Sequence, residues 1–286
     1  MTLTHRLLLL PGSPSWPAEF QDLQAAPERL WARGDLRLLA PNPRVAIVGT
    51  RAPTPYGEAQ AVRFASVLAS QGVVVVSGWA RGIDQCAHAA ALRVGGKTLA
   101  VLGNGVDNPW PASELLPQML ERGLFLSEHE PEESPRPHHF PLRNRLISAL
   151  ANCVVVIEAA HASGSLITAR WAADQGREVY ALPGRVDHPM ARGTHKLLRE
   201  GAKLVEDPEE VLIDLGLRPE PHGAATIPEQ ERSAVVRALR GETLSAEELS
   251  TRLQQPLPQV LVELVEAEMR GEVTRTTGGR YRRIDG

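Results

Sequence analysis

The densest chemistry in the 286-residue chain stands in "RPHHFPLRNR", where Arg136, His138, His139, Phe140, Arg143, Asn144 and Arg145 gather with no acidic residue among them. This stretch leads into "NCVVVIEA", the most apolar strand-like run of the sequence. Guanidinium groups beside an aromatic ring suit a single-stranded nucleic acid. The cations replace counterions along the phosphates, and an unpaired base stacks on the ring for about 1–3 kcal/mol. The same residues also admit a structural reading, with Phe140 in the core and the arginines as surface residues or struts between sheet and loop.

Three further stretches place small residues where a strand turns into a helix. "GTRAPTPYG" (49–57) holds Gly49, Thr50 and Arg51, and "SGWARGIDQCAH" (77–88) opens with Ser77 and Gly78. "AHASGSLITAR" (160–170) holds Ser163, Gly164, Ser165 and Thr168. Small side chains let an anion approach the backbone, and a helix N-terminus offers free N–H groups with a partial positive charge. Three such turns on one rim read as a series of phosphate cradles, although any one could simply permit a tight turn. None is GxGxxG, and without GxxxxGK[ST] there is no P-loop for ATP.

Catalytic patterns are weaker. Asp84 and His88, four apart on a helix, could be an acid–base pair or a helix cap with its tether. Glu158 could be a general base, but the sequence names no partner. Ser163 lacks the GxSxG elbow. His138 and His139 have no HExxH or CxxC companion, and His5, His129, His161, His188, His195 and His222 are scattered. Neither a metal nor a cofactor is expected.

The elements that must position these residues alternate β-branched runs with amphipathic stretches. Strands are predicted at 45–50, 73–78, 98–103, 124–128, 154–159, 178–184 and 202–207, with helical patterns such as "GEAQAVRFASVLASQG" between them. Repeated βα units with near-continuous apolar strands imply an α/β fold: a Rossmann-like, doubly wound, mostly parallel sheet buried on both faces. Ligands then bind at the carboxyl ends of the strands, where the three turns lie. The expected organisation is a short helical or irregular lead-in over 1–43, this core over 44–215, and a Pro/Gly-rich linker over 216–229. A small winged-helix-like domain follows over 230–286, with three short helices and a Gly-Gly hairpin. Its third helix, "PLPQVLVELVEAEM", carries Glu263, Glu266 and Glu268 and no cation before Arg270, a poor surface for a major groove. Its positive charge returns in the hairpin, at Arg275, Arg280, Arg282 and Arg283. Val260, Leu261, Leu264 and Val265 read as the core of this domain, which suggests an interaction or regulatory module.

Bulk composition narrows the classes. Hydrophobic content of 43% and charged content of 23% support a real core. A net charge of -3 confines any nucleic-acid surface to a local patch. "MTLTHRLLLLPGSPSW" has only four consecutive leucines, too few for a signal peptide, and no stretch approaches a membrane span. Cys86 and Cys153 read as reduced packing residues of a cytoplasmic protein.

Taken in order, "VAIVGTRAPTPYG", "SGWARGIDQCAHAAAL", "LAVLGNGVDNPWP", "FPLRNRLISALA", "VVVIEAAHASGSLITARWAADQGREVYALPG" and "GTHKLLREGAKLV" closely resemble the DNA-processing protein A family (DprA, also called Smf). The resemblance is strong over residues 27–214. It implies a single-stranded DNA-binding protein without enzymatic activity. It also implies homodimers that protect strands during natural transformation and load the RecA recombinase onto them. The family's "GTR" loop falls on Arg51, its "FPxRNR" on Phe140, Arg143 and Arg145, its preceding basic position on Arg136, and its "SGSLIT" loop on Ser163 to Thr168. Many members carry an N-terminal helical SAM-like domain, for which the stretch ahead of the first strand is too short. The rival resemblance is to lysine-decarboxylase-like nucleotide phosphoribohydrolases. Their PGGxGTxxE loop carries a catalytic Glu, whereas "SGSLITAR" stands here without one.

Overall fold

Along each apolar run, successive side chains enter opposite faces of one sheet, so both faces must be covered. The computed structural model describes residues 6–21, 23–218, 233–276 and 278–283, in two compact units, Met1–Glu220 and Pro221–Gly286. The first unit contains β1 (Arg6–Leu9), β2 (Leu30–Gly34), β3 (Arg44–Val48), α1 (Pro55–Ser70), β4 (Val74–Ser77), α2 (Ile83–Arg93), β5 (Thr98–Val101), α3 (Leu116–Arg122) and β6 (Leu124–Ser127). It continues with α4 (His139–Leu150), β7 (Cys153–Val156), α5 (Ser165–Asp174), β8 (Glu178–Ala181), α6 (Arg192–Arg199), β9 (Lys203–Leu204) and α7 (Pro208–Asp214).

The strands form one sheet in the order β1-β2-β6-β5-β4-β3-β7-β8-β9. From β6 to β9 every pairing is parallel, whereas β1 and β2 are antiparallel additions. Ala46, Val48, Val154 and Val156 face a core shared with α4 and α5. Val45, Ile47, Val155 and Cys153 face the opposite core, under α1, α2 and α7. Burial pushes the Cys153 thiol up to about 12, and both cysteines are free. From β3 the chain winds outward to β6, then crosses through α4 to β7 on the other side of β3. This reversal opens a crevice at the carboxyl ends of β3 and β7, the usual ligand position in such sheets.

The lead-in expected over 1–43 proves to be part of the sheet. Leu30–Gly34 pairs with β6, a strand remote in sequence, and so tertiary pairing decides a stretch expected to be helical or irregular. Leu36–Leu39 turns as a short 3-10 helix capped by the Asp35 carboxylate. Arg44, 3% exposed, fastens the lead-in through an ion pair with Glu19 and a bond to the Leu38 carbonyl.

The second unit comprises α8 (Ala234–Ala238), β10 (Thr243–Leu244), α9 (Ala246–Leu253), α10 (Leu257–Met269), β11 (Val273–Arg275) and β12 (Tyr281–Arg283). Its three strands run in the order β10-β12-β11, a winged helix. Val260, Leu264 and Ala267 of α10 are buried, while Leu261 and Val265 are exposed rather than core, because only one stripe of the helix meets its neighbours. From residue 219 the expected linker lies outside the described residues. Among the described residues no helix is long and apolar enough to cross a membrane.

His88 on α2 is fully buried. Its Nδ1 donates to the Thr98 hydroxyl at 2.6 Å, and that hydroxyl donates to the Val75 carbonyl. The ring is thus a neutral tether. Burial, with the Arg143 charge second, pulls its pKa down to about 3. The unfolded chain takes up this proton near the ordinary value of 6.5, so stability falls as pH drops from there toward 3. Between pH 7 and 5 the protein should lose about 2 kcal/mol more stability than its His88→Gln variant. Urea titrations followed by tryptophan fluorescence measure this, since all five tryptophans lie in the first unit. Equal pH slopes would show that His88 is not the group responsible.

Candidate nucleic-acid interface

At the crevice lies a cleft of about 670 Å³. One wall is the turn after β3, with Gly49, Thr50 and Arg51. A second is the start of α4, with Phe140, Arg143 and Asn144. The third is the turn into α5, with Ser163, Gly164, Ser165 and Thr168. Ten of the expected site residues therefore share one cleft. Ser77, Gly78, Arg136 and Arg145 do not line it.

Two of the three expected cradles are already filled by carboxylates of the protein itself. At the start of α1, Glu158 accepts from the Thr54 amide (2.9 Å) and the Thr54 hydroxyl (2.6 Å). A Cβ on Gly57 would lie 2.2 Å from the Glu158 carboxylate, so this glycine makes room for an internal acid, not for a ligand. Gly49 likewise permits close packing against Ile83. In the turn after β4, Asp84 Oδ2 accepts from the amides of Gly78 (3.0 Å) and Ala80 (3.2 Å). Ser77 is wholly buried and donates to the Ile47 carbonyl. The second turn is consequently an internal knot and offers no cradle at Ser77 and Gly78.

The third turn is different. No acid stands in the first turn of α5: its N-cap Gly164 gives no side-chain cap, and the amides of Ser165, Leu166 and Ile167 turn to Ser163 Oγ (3.4 Å) and to the carbonyls of Ser163 and Gly164. Ser163 and Ser165 share a hydroxyl–hydroxyl bond of 2.8 Å. Asn144 donates to the Gly164 carbonyl at 3.2 Å and holds this turn against α4. Hydroxyls and the partial positive charge of a helix N-terminus make this wall suited to an anion.

The arginines of "FPLRNR" are compensated after all, by acids remote in sequence. Arg143 is 4% exposed and donates to the carbonyls of Gly78 (2.7 Å) and Val101. Asp84 flanks it across Gly78, where an added Cβ would touch both side chains. Burial pulls the Arg143 guanidinium down to about 10 against the attraction of Asp84, and pushes the Asp84 carboxyl up against that of Arg143. Arg143 therefore gives the cleft a buried positive floor. Arg145 turns away from the cleft and binds Glu128 through both terminal nitrogens (2.8 and 2.6 Å) and the Ala25 carbonyl through Nε (2.8 Å). It braces the lead-in and the end of β6, not the rim.

Arg51 is exposed and forms no ion pair among the described residues. Its guanidinium carbon lies 5.5 Å from the centre of the Phe140 ring. Phe140 is half-buried, and Trp110, 45% exposed, meets it at 5.6 Å. The sequence reading missed Trp110. Its signal was an aromatic between two prolines in "NPWP", following a strand end. Arg136 is exposed and adjoins the cleft through Pro137 without lining it.

A family model described as DNA recombination-mediator protein A matches residues 7–216, and a model of the DprA winged helix domain matches residues 219–279. Protein Smf of Escherichia coli (strain K12) is 38% identical over 288 residues, which cover 96% of this chain and 77% of that protein. The X-ray structure of DNA processing protein A from Streptococcus pneumoniae is similar with a TM-score of 0.70 at 39% identity, over 74% of this chain and 75% of that one. DNA processing protein A from Helicobacter pylori, whose structure was described for its single-stranded DNA binding mode, gives 0.67 at 32% identity, over 74% and 95%.

The bracing pair has a measurable signature. Arg145→Ala should cost about 2 kcal/mol of stability by leaving Glu128 half-buried without its cation. The Arg145→Ala/Glu128→Ala double variant should be more stable than the sum of the single losses by about 1 kcal/mol or more. Strict additivity in a urea double-mutant cycle would remove the pair from this role.

Proposed function

We propose, for a chain that belongs to the DNA recombination-mediator protein A family, that the cleft between the β3 and α5 turns binds single-stranded DNA. The observation that carries this reading is the uncompensated Arg51 over the half-buried Phe140, beside the acid-free N-terminus of α5. A phosphate would sit at the positive end of α5 and the serine hydroxyls, drawn by Arg51 above and the buried Arg143 below. An unpaired base would stack on Phe140 with Trp110 beside it. Neither contact depends on base identity, so the protein should discriminate strandedness and not sequence.

The same reading assigns binding in preference to catalysis. Asp84, the acid lining the cleft, is held by two amides and faces Arg143. His88 is tied to Thr98 and has no path into the cleft as a base. Protection of strands and loading of RecA, in the cytoplasm and by a homodimer, are the roles that family membership supports. The winged-helix unit acts in this reading as an interaction or regulatory module, because Glu266 and Glu268 are exposed on α10 and would repel phosphates.

Anisotropy titrations with fluorescent oligo-dT and an equal-length duplex test the reading at two salt concentrations. Single strands should bind more tightly. Phe140→Ala should cost about 1–3 kcal/mol of affinity. Arg51→Ala should weaken all sequences alike and reduce the salt slope by about 0.7, the value of one phosphate contact on a single strand. Unchanged affinity and slope in folded Arg51→Ala, or equal binding of duplex and single strand, would refute the assignment.

Removal of residues 220–286 should leave affinity for oligo-dT within a few-fold of the full chain. A hundredfold loss in a folded truncation would instead make the winged-helix unit a principal DNA-binding element.

A further inference from the structure

Three side chains that the DNA reading does not use meet at the start of α4. His129 and Glu133 come from the loop after β6, and His139 is the first residue of the helix. One ligand atom from each lies within 4.8 Å of the other two. His129 Nδ1 is 3.6 Å from one carboxylate oxygen of Glu133, and His139 Nε2 is 3.8 Å from the other. The two imidazole rings are stacked, with centroids 3.9 Å apart and planes 18° apart. His139 is nearly buried, and its Nδ1 lies 3.1 Å from the Gly103 carbonyl oxygen. That oxygen can only accept, so Nδ1 carries a hydrogen and Nε2 is the nitrogen that faces Glu133. Fixing one imidazole nitrogen on a carbonyl and leaving the other free is how proteins orient a metal-ligating histidine.

We propose that His129, Glu133 and His139 form a site for a zinc-type divalent cation. Two imidazoles and one carboxylate are the borderline donors that Zn²⁺ and Co²⁺ accept, with water completing a four-coordinate shell. Metal–nitrogen distances of about 2.0–2.1 Å put tetrahedral ligand atoms roughly 3.4 Å apart. The two nitrogen–oxygen separations exceed this by a few tenths of an ångström, and closing the cluster, whose ligand atoms lie within 4.8 Å of one another, takes rotations of the half-buried His129 and Glu133 that unstack the two rings. The hard-cation alternatives Ca²⁺ and Mg²⁺ want six or more oxygens, which this cluster lacks. A bound ion ties the loop after β6 to the residue immediately before Phe140, and so fixes the base of the aromatic rim.

The test uses the full chain, stripped with EDTA and titrated with ZnCl₂ by calorimetry in a non-chelating buffer. One equivalent should bind at micromolar affinity or tighter. Titration with CoCl₂ should give the intense visible d–d absorption of a four-coordinate ion. Glu133→Gln and His129→Ala should each weaken Zn²⁺ by about tenfold or more and abolish the Co²⁺ bands, with the circular dichroism of the native protein retained. No uptake by the wild-type chain overturns the proposal. So does uptake of equal affinity in both variants, which would place the ion on other histidines. No DNA is present, and the outcome is separate from that of the strand-binding reading.

Discussion

A guanidinium cannot sit in a protein interior unless its charge and its hydrogen atoms are answered there. α4 carries two such groups within one turn, pointing to different sides, and much of the molecule is arranged to meet them. Arg143 draws in the carbonyls at the ends of β4 and β5 and the Asp84 carboxyl of α2, and so gathers two strands and a helix at one point. Arg145 draws in Glu128 from the end of β6 and a carbonyl of the N-terminal segment. The helix that crosses the sheet is therefore pinned on both sides, and the switch in strand order beside it is held open as a cleft.

This pinning divides the rim into used and unused anion sites. Strand-to-helix turns rich in small residues all look alike as sequence, since each offers amides that want a negative partner. Here Glu158 and Asp84 satisfy two of them from within. Their positions are those of internal capping acids that shape the cleft wall, and their glycines serve close approach between protein atoms. Of the three, only the turn into α5 holds no acid in its first turn. The electrostatics of the cleft follow: one exposed cation at Arg51, one buried at Arg143, and an acid-free helix N-terminus opposite.

The parallel core was legible because its signals are local. β-branched runs four to six residues long, each stopped by a small residue, need no knowledge of their neighbours to be read as strands. The winged-helix unit was legible for the same reason, through its helix lengths and its Gly-Gly turn. What escaped reading depends on pairing across distance. "RLLL" and "LWARG" become strands only because β6 exposes an edge to them. The arginines of "FPLRNR" look uncompensated because Asp84 and Glu128 stand far from them in the chain. Trp110 enters the site through a loop, where periodicity says nothing. His129, Glu133 and His139 follow no recognised ligand spacing, and only the fold brings their donor atoms together.

The antiparallel edge has a consequence for the order in which the molecule can be made. Trp31 lies opposite Ser127 in the finished sheet, so the edge of β2 that meets β6 has no partner until about a hundred further residues have left the ribosome. At about 5–20 residues per second, that is an interval of roughly five to twenty seconds. Through it the strand that will cover β6, and the β1 hairpin partner with its leucines at 7 and 8, wait with open edges in the crowded exit zone. The last parallel neighbour on that side, β6, is thus the gate through which the earliest-made part of the chain joins the rest. A nascent chain halted before residue 124 carries a pair of apolar strands with nowhere to dock, a natural substrate for a chaperone that recognises short exposed hydrophobic segments.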